Sequence, residues 1–110
     1  MILITNPSGA STAFAVTLST DSDDLNLAGH PAVYLENDTG GLLTITGLAA
    51  EADGTVKTIL NGGTNAVLLS GEDTESAAAN RFAFALLLSP GARATVRYNG
   101  SLSRWEGYGD

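Results

Sequence analysis

The sequence predicts an all-β fold, an antiparallel β-sandwich or jelly-roll-like domain with short hairpin loops. Three observations point there. Turn-forming groups recur at strand-length intervals: Gly40-Gly41, Asp53-Gly54, Asn61-Gly62-Gly63, Ser89-Pro90-Gly91 and Asn99-Gly100. Short β-branched or apolar runs fill the spaces between them, the pattern of a sandwich or barrel. No interval holds the ten or so residues of helical pattern that a parallel α/β fold would place between strands.

The elements follow in order. Residues 1–12, "MILITNPSGAST", form an N-terminal arm, and residues 13–110 a single β domain, as the length prior for 110 residues expects. In "TAFAVTLS", Phe14, Val16 and Leu18 share one face, and neither face carries a charge. "AVYLE" and "LLTIT" follow, with Tyr34 and Phe14 expected in the core. Asp53-Gly54 is a tight turn into "TVKTILN", with Gly54 free to take φ > 0. Asn61-Gly62-Gly63-Thr64-Asn65 is the next hairpin loop, leading to "AVLLS". "AVLLS" and "FAFALLL" are apolar on both faces, as expected of strands covered on two sides. Between them, Glu75–Asn80 of "ESAAANRF" is a tight connection of small residues. There the Asn80 amide satisfies backbone groups and Arg81 is in reach of Glu72, Asp73 or Glu75. Ser89-Pro90-Gly91 is a β-turn joining "FAFALLL" to "RATVRYN" as an antiparallel pair. In "RATVRYN", Ala94, Val96 and Tyr98 face inward and Arg93, Thr95 and Arg97 outward; "RWEGY" closes the chain. No clear internal repeat is visible.

Charge narrows the partners. The formal net charge is −7, Lys57 is the only lysine, and the four arginines are scattered from Arg81 to Arg104. A phosphate backbone needs clustered cations, so nucleic acid is not the partner. No run is long enough to span a membrane, and the N-terminus lacks the basic region of a secretion signal. The charged fraction of 15% and the surplus of uncharged strand surface point to burial against another copy of the chain. The uneven distribution of acids and bases fits such a partner.

Chemistry has few places to reside. With no cysteine, disulfides, thiol catalysis and thiolate metal sites are excluded. His30 is the sole histidine, too little for a metal site. As a base in a small hydrolase it would need Asp21, Asp23 or Asp24 beside it. Those three aspartates have the Asp-x-Asp spacing of a calcium loop but lack its glycine and terminal glutamate, so a solvated loop is expected. "EDTES" is a second acidic loop without ligand spacing. No catalytic residue, cofactor or metal is expected. Trp105, Tyr98 and Tyr108 gather near the C-terminus. The favoured reading has Trp105 closing one end of the core; the rival is a sugar-stacking platform.

The ordered series Ile45-Thr46-Gly47-Leu48, Asp53-Gly54, Asn61-Gly62-Gly63-Thr64-Asn65, Ser76–Phe82, Ser89-Pro90-Gly91, Tyr98-Asn99 and Ser103-Arg104-Trp105 resembles a β-rich module of tailed-bacteriophage virion proteins. Fibres and other appendages carry such modules. The likeness runs from about Leu42 to Trp105, and its marks are Gly47, Asp53, Gly54, Asn61, Gly63, Asn65, Asn80, Arg81, Pro90, Gly91, Tyr98, Arg104 and Trp105. The resemblance implies a non-enzymatic structural protein of the virion, made in the host cytoplasm and assembled as a homotrimer on other virion proteins. Only the short arm precedes the module, so a capsid decoration protein, head fibre or appendage cap is expected rather than a long tail fibre. The alternative is a tail-fibre tip that binds a receptor or host-surface glycan.

Overall fold

The computed structural model describes residues 13–109, and the side chains of residues 13–107. The arm expected over residues 1–12 lies outside the described residues. The described residues form eight strands: β1 (Phe14–Leu18), β2 (Ala32–Asn37), β3 (Leu43–Ile45), β4 (Val56–Asn61), β5 (Val67–Leu69), β6 (Leu86–Leu88), β7 (Arg93–Asn99) and β8 (Arg104–Gly109). Among the described residues the only helical element is one 3-10 turn, Ala78–Asn80. The fold is all-β.

The strands form a five-stranded sheet ordered β1-β2-β4-β7-β8 and a three-stranded sheet ordered β3-β5-β6. Both sheets are mixed, which corrects the antiparallel expectation. β1-β2, β2-β4 and β3-β5 pair in parallel, whereas β4-β7, β7-β8 and β5-β6 are antiparallel. A two-residue hairpin cannot join parallel neighbours. The chain therefore crosses to the opposite sheet between them. After β1 it touches the small sheet where Ser22 bridges Ile45 and Leu25 bridges Leu48, then returns as β2. It crosses again as β3 before β4, and again as β5 and β6 before β7. The tight turn at Asp53-Gly54 forms as expected, with Thr55 N–H donating to Ala52 O at 3.0 Å and Gly54 at φ 87, but it lies within a crossover, as does the Asn61–Asn65 segment read as a hairpin loop. The Ser89–Ala92 turn forms as expected, with Ala92 N–H donating to Ser89 O at 2.9 Å and Gly91 at φ 85. It links β6 and β7 across the two sheets and does not pair them.

The crossovers contain a repeat that the sequence reading missed. Leu43 pairs with Val67 and Ile45 with Leu69, 24 residues apart. At the same separation, Asn37 and Asn61 make matching bonds. Each donates Nδ2 to the carbonyl four residues on (Gly41 at 2.7 Å, Asn65 at 3.0 Å). Each accepts the amide two residues on (Thr39 at 2.9 Å, Gly63 at 3.2 Å). Each also reaches the small sheet or its approach, through Ala66 O and Leu88 O. Both asparagines are buried, and their amides satisfy backbone groups that a crossover leaves unpaired.

The core lies between the sheets. Val33 and Leu35 of β2, Ile59 of β4, Ala94 and Val96 of β7, and Trp105 of β8 meet Leu43, Ile45, Val67, Leu69 and Leu88. The inward face of β7 is the one alternation predicts. Two expectations fail at the margin. Tyr34 alternates with the inward Val33 and Leu35, so it faces out and is 37% exposed. Phe14, on edge strand β1, is 39% exposed and stacks on the His30 ring at 3.7 Å. Nor is β6 covered on both sides, since Leu87 is 57% exposed.

Candidate functional site

Six of the thirteen residues singled out by motif, Gly47, Asn80, Arg81, Tyr98, Arg104 and Trp105, converge on the Ser76–Phe82 segment, at the junction of the two sheets. Asn80 accepts the Ala50 amide through Oδ1 at 2.8 Å and donates Nδ2 to Asp24 Oδ1 at 2.8 Å. Its carbonyl accepts from Leu48 N–H. Asp24 Oδ1 also accepts the Ala77 amide at 2.8 Å. These bonds, the Asn80 amide first and the Ala77 N–H second, hold the Asp24 carboxyl below the usual carboxylate range. Ser76 Oγ lies 2.7 Å from Thr46 Oγ1 and accepts the Asp24 amide at 2.9 Å.

Gly47 is required here by close approach. A Cβ would lie 2.5 Å from Asn80 O and 2.6 Å from Ser76 Oγ. Tyr98 donates its hydroxyl to Ala79 O at 2.8 Å, and its ring meets Trp105 edge to face at 5.1 Å. Trp105 is fully buried and donates Nε1–H to Leu48 O at 3.0 Å. The bland reading of Trp105 as the plug of the core is therefore the observed one. Neither Trp105 nor Tyr98 offers an open ring for a sugar, and the Tyr108 side chain lies outside the described ones.

Arg81 donates Nε–H to Ser76 O at 3.0 Å instead of reaching the acidic loop. That role falls to Arg104, which grips both Glu72 oxygens (2.9 and 3.1 Å) and donates to Ala78 O. Arg81 is turned back on its own loop by its bond to Ser76 O, which leaves Glu72 to Arg104 at the start of β8. Away from the junction, Asp53 accepts the Gly100 amide at 2.8 Å beside Gly54, whose φ is 87. Pro90 and Gly91 form the turn already described. Asn61, Gly63 and Asn65 form the second crossover cradle.

The structure does not unite His30 with the acids proposed for it. Asp21 accepts the Thr44 amide, Asp23 the Thr46 hydroxyl and Asp24 the junction donors, while His30 packs on Phe14. Among the described residues no group of three His, Asp or Glu side chains could hold a metal ion.

One residue that sequence reasoning passed over is structurally central. Lys57 is 1% exposed. It donates to Leu27 O at 2.7 Å and His30 O at 3.0 Å. Its third partner is Glu51 Oε2 at 2.6 Å, a buried oxygen with no hydrogen bond, so the contact is an ion pair rather than an aligned bond. Alternation with Ile59 and Asn61 on β4 was the available signal, since those three residues share the inner face.

The outward face of the five-stranded sheet carries a trough. Its floor is the row Ala32, Thr58 and Thr95, in register across β2, β4 and β7. One wall is the row Tyr34, Leu60 and Arg93; the other is Val56, Arg97 and Glu106. A hollow of about 140 Å³ lies over Ala32 and Thr58, and a shallower one of about 510 Å³ over Thr95. Tyr34 is fixed there by its hydroxyl on Gly62 O at 3.1 Å, with its ring lying where a Gly62 Cβ would be.

The chain matches no family model, no curated protein and no solved structure.

Proposed function

We propose that this protein is a non-enzymatic structural component of a tailed-bacteriophage virion. It is a compact, self-associating capsid decoration, head-fibre or appendage-cap protein that attaches to the particle surface. Its mechanism is mechanical. A rigid β body presents apolar strand faces to its copies, and several weak attachments act together through avidity. The observation that carries this reading is how the motif residues are used. Gly47, Asn80, Arg81, Tyr98, Arg104 and Trp105 lock the two sheets at one junction, and their polar atoms bond to backbone or to a local carboxylate. Residues spent on rigidity support a scaffold better than a reaction centre.

The arm, residues 1–12, is the attachment element of this reading, since an extended terminus adds readily to a neighbour's sheet edge. Deleting residues 2–12 should abolish binding to particles while far-ultraviolet circular dichroism stays that of the folded domain. Unchanged binding would rule the arm out, and electron microscopy of decorated particles would locate the protein.

A further inference from the structure

The outward face of the five-stranded sheet is electrically neutral in a strongly acidic chain. Along its strands it carries Glu36, Arg93, Arg97, Arg104 and Glu106, and Arg104 is paired with Glu72 at the end of β8, so with that partner the signs balance at three each. Of twelve acids and five basic residues, nine acids and two bases remain for the rest, so the formal −7 lies entirely off this face. Acidic surfaces repel a second copy, and this one does not. Among the described residues the Arg93 guanidinium makes no ion pair or hydrogen bond, and Arg97 has only Glu106 at 4.0 Å.

We infer that this face is a contact between two copies of the chain, related by a two-fold axis along β4. The register names the partners. β2 and β7 flank β4, and Tyr34, Leu60 and Arg93 stand level on the three strands. Such an axis lays β7 of one copy over β2 of the other. Leu60 then meets its own counterpart, and each Arg93 comes over the partner's Tyr34 ring beside the partner's Glu36. A guanidinium on a fixed aromatic face with a carboxylate next to it is favourable, and the symmetry makes the contact twice.

Area separates this face from its rival, the leucines outside the small sheet, where Leu42 is 53% and Leu87 57% exposed. At about 4.8 Å per strand and 3.3 Å per residue, five strands offer roughly 24 by 20 Å, and three short strands only about 14 by 10 Å. The larger footprint is roughly 480 Å² and the smaller about 140 Å², so only the larger is of the order of the roughly 800 Å² of accessible surface per partner in a standard interface.

The inference rests on the proposed reading only in that copies associate, and it replaces the expected three copies by pairs. Light scattering on the purified full chain should give twice the 11.2 kDa chain mass. Leu60→Asp should weaken pairing at least about tenfold, since it sets two carboxylates face to face on the axis. Arg93→Glu and Glu36→Arg should each weaken it by about tenfold, and the double swap should restore it. A monomer at about 100 µM, a threefold mass, a dimer indifferent to both Leu60→Asp and the swaps, or no restoration by the double swap would overturn the inference. So would pairing that appears only when residues 1–12 are removed, which would assign the face to those residues. A trimer that still decorates particles would sink this face and leave the virion reading standing; a dimer that never binds particles would do the reverse.

Discussion

The two halves of the β domain solve one problem by different means. In residues 13–71 neighbouring strands are mostly parallel, and each connection crosses between sheets. In residues 82–109 the strands follow as antiparallel neighbours or are joined by tight turns. The first half buries Asn37, Thr46, Lys57 and Asn61; the second buries no polar or charged side chain, although Tyr98 and Trp105 each bring one polar atom inside. A crossover leaves carbonyls and amides that no ladder partner reaches, and side chains must reach them instead. Antiparallel β7 and β8 satisfy each other directly over six residue pairs, from Ala94↔Gly109 to Asn99↔Arg104. Parallel coiling of the chain therefore needs polar residues in the core, and the meander does not.

The sharpest test sets the buried ion against the buried indole. Trp105→Ala should cost about 3–5 kcal/mol by emptying the core of the antiparallel half. Lys57→Met should cost about 3 kcal/mol, with no cavity at all, because it leaves the Glu51 carboxylate and two carbonyls without their donor. Adding Glu51→Gln to Lys57→Met should recover part of that loss, while it should do nothing for Trp105→Ala. Urea unfolding would report both. A Lys57→Met protein as stable as wild type would show that the ion pair is incidental and that the two halves do not differ in this way.

Much of this was legible in the sequence, and the failures of strand pairing share one cause. Strand positions, the turns at Gly54 and Gly91, the inward face of β7 and the plugging role of Trp105 follow from alternation and turn chemistry. Alternation with period two is the same in parallel and antiparallel strands, however. Asn61-Gly62-Gly63 bends the chain equally well whether it returns to the same sheet or crosses to the other. Pairing direction is decided by what lies opposite, which a local pattern does not contain. The repeat of Asn37, Leu43, Ile45 and Gly47 at Asn61, Val67, Leu69 and Gly71 was present in the sequence. Unlike residues between the matches hid it. Lys57 was hidden differently, because a lysine is seldom fully buried and its carbonyl partners come from a distant loop.

A smaller effect tests the crossover cradles themselves. Asn61→Ala leaves Leu88 O, Asn65 O and the Gly63 amide without their partner, and should cost about 1–3 kcal/mol. Asn37→Ala should fall in the same range. Asn99 also accepts two amides, from Ser101 and Leu102, but these bonds are exposed and water can replace the side chain. Asn99→Ala should therefore cost well under about 1 kcal/mol. Equal losses at positions 61 and 99 in thermal unfolding would mean that burial of the crossover amide contributes nothing special.

The smallest expected effect concerns the seam between the halves, where Asp24 ties the first to the Ser76–Phe82 segment. The Asn80 amide and the Ala77 N–H lower its pKa, and the Glu75 amide and Ser70 hydroxyl do the same for Asp73. A carboxylate whose pKa is lowered by folding stabilises the native state at pH above its unfolded value, near 4, and that contribution disappears as pH falls through the folded pKa. The melting temperature should therefore be level from neutral pH to about pH 5 and decline below pH 4, with both aspartates contributing. Asp24→Asn separates them. Asparagine keeps an acceptor for Asn80 and Ala77 and tolerates the φ of 49 found at this position, but it cannot be charged. The variant should melt slightly lower at neutral pH and lose less between pH 5 and pH 2.5 than wild type. An acid limb of unchanged depth would remove Asp24 from the seam's electrostatics and leave its hydrogen bonds as its whole contribution.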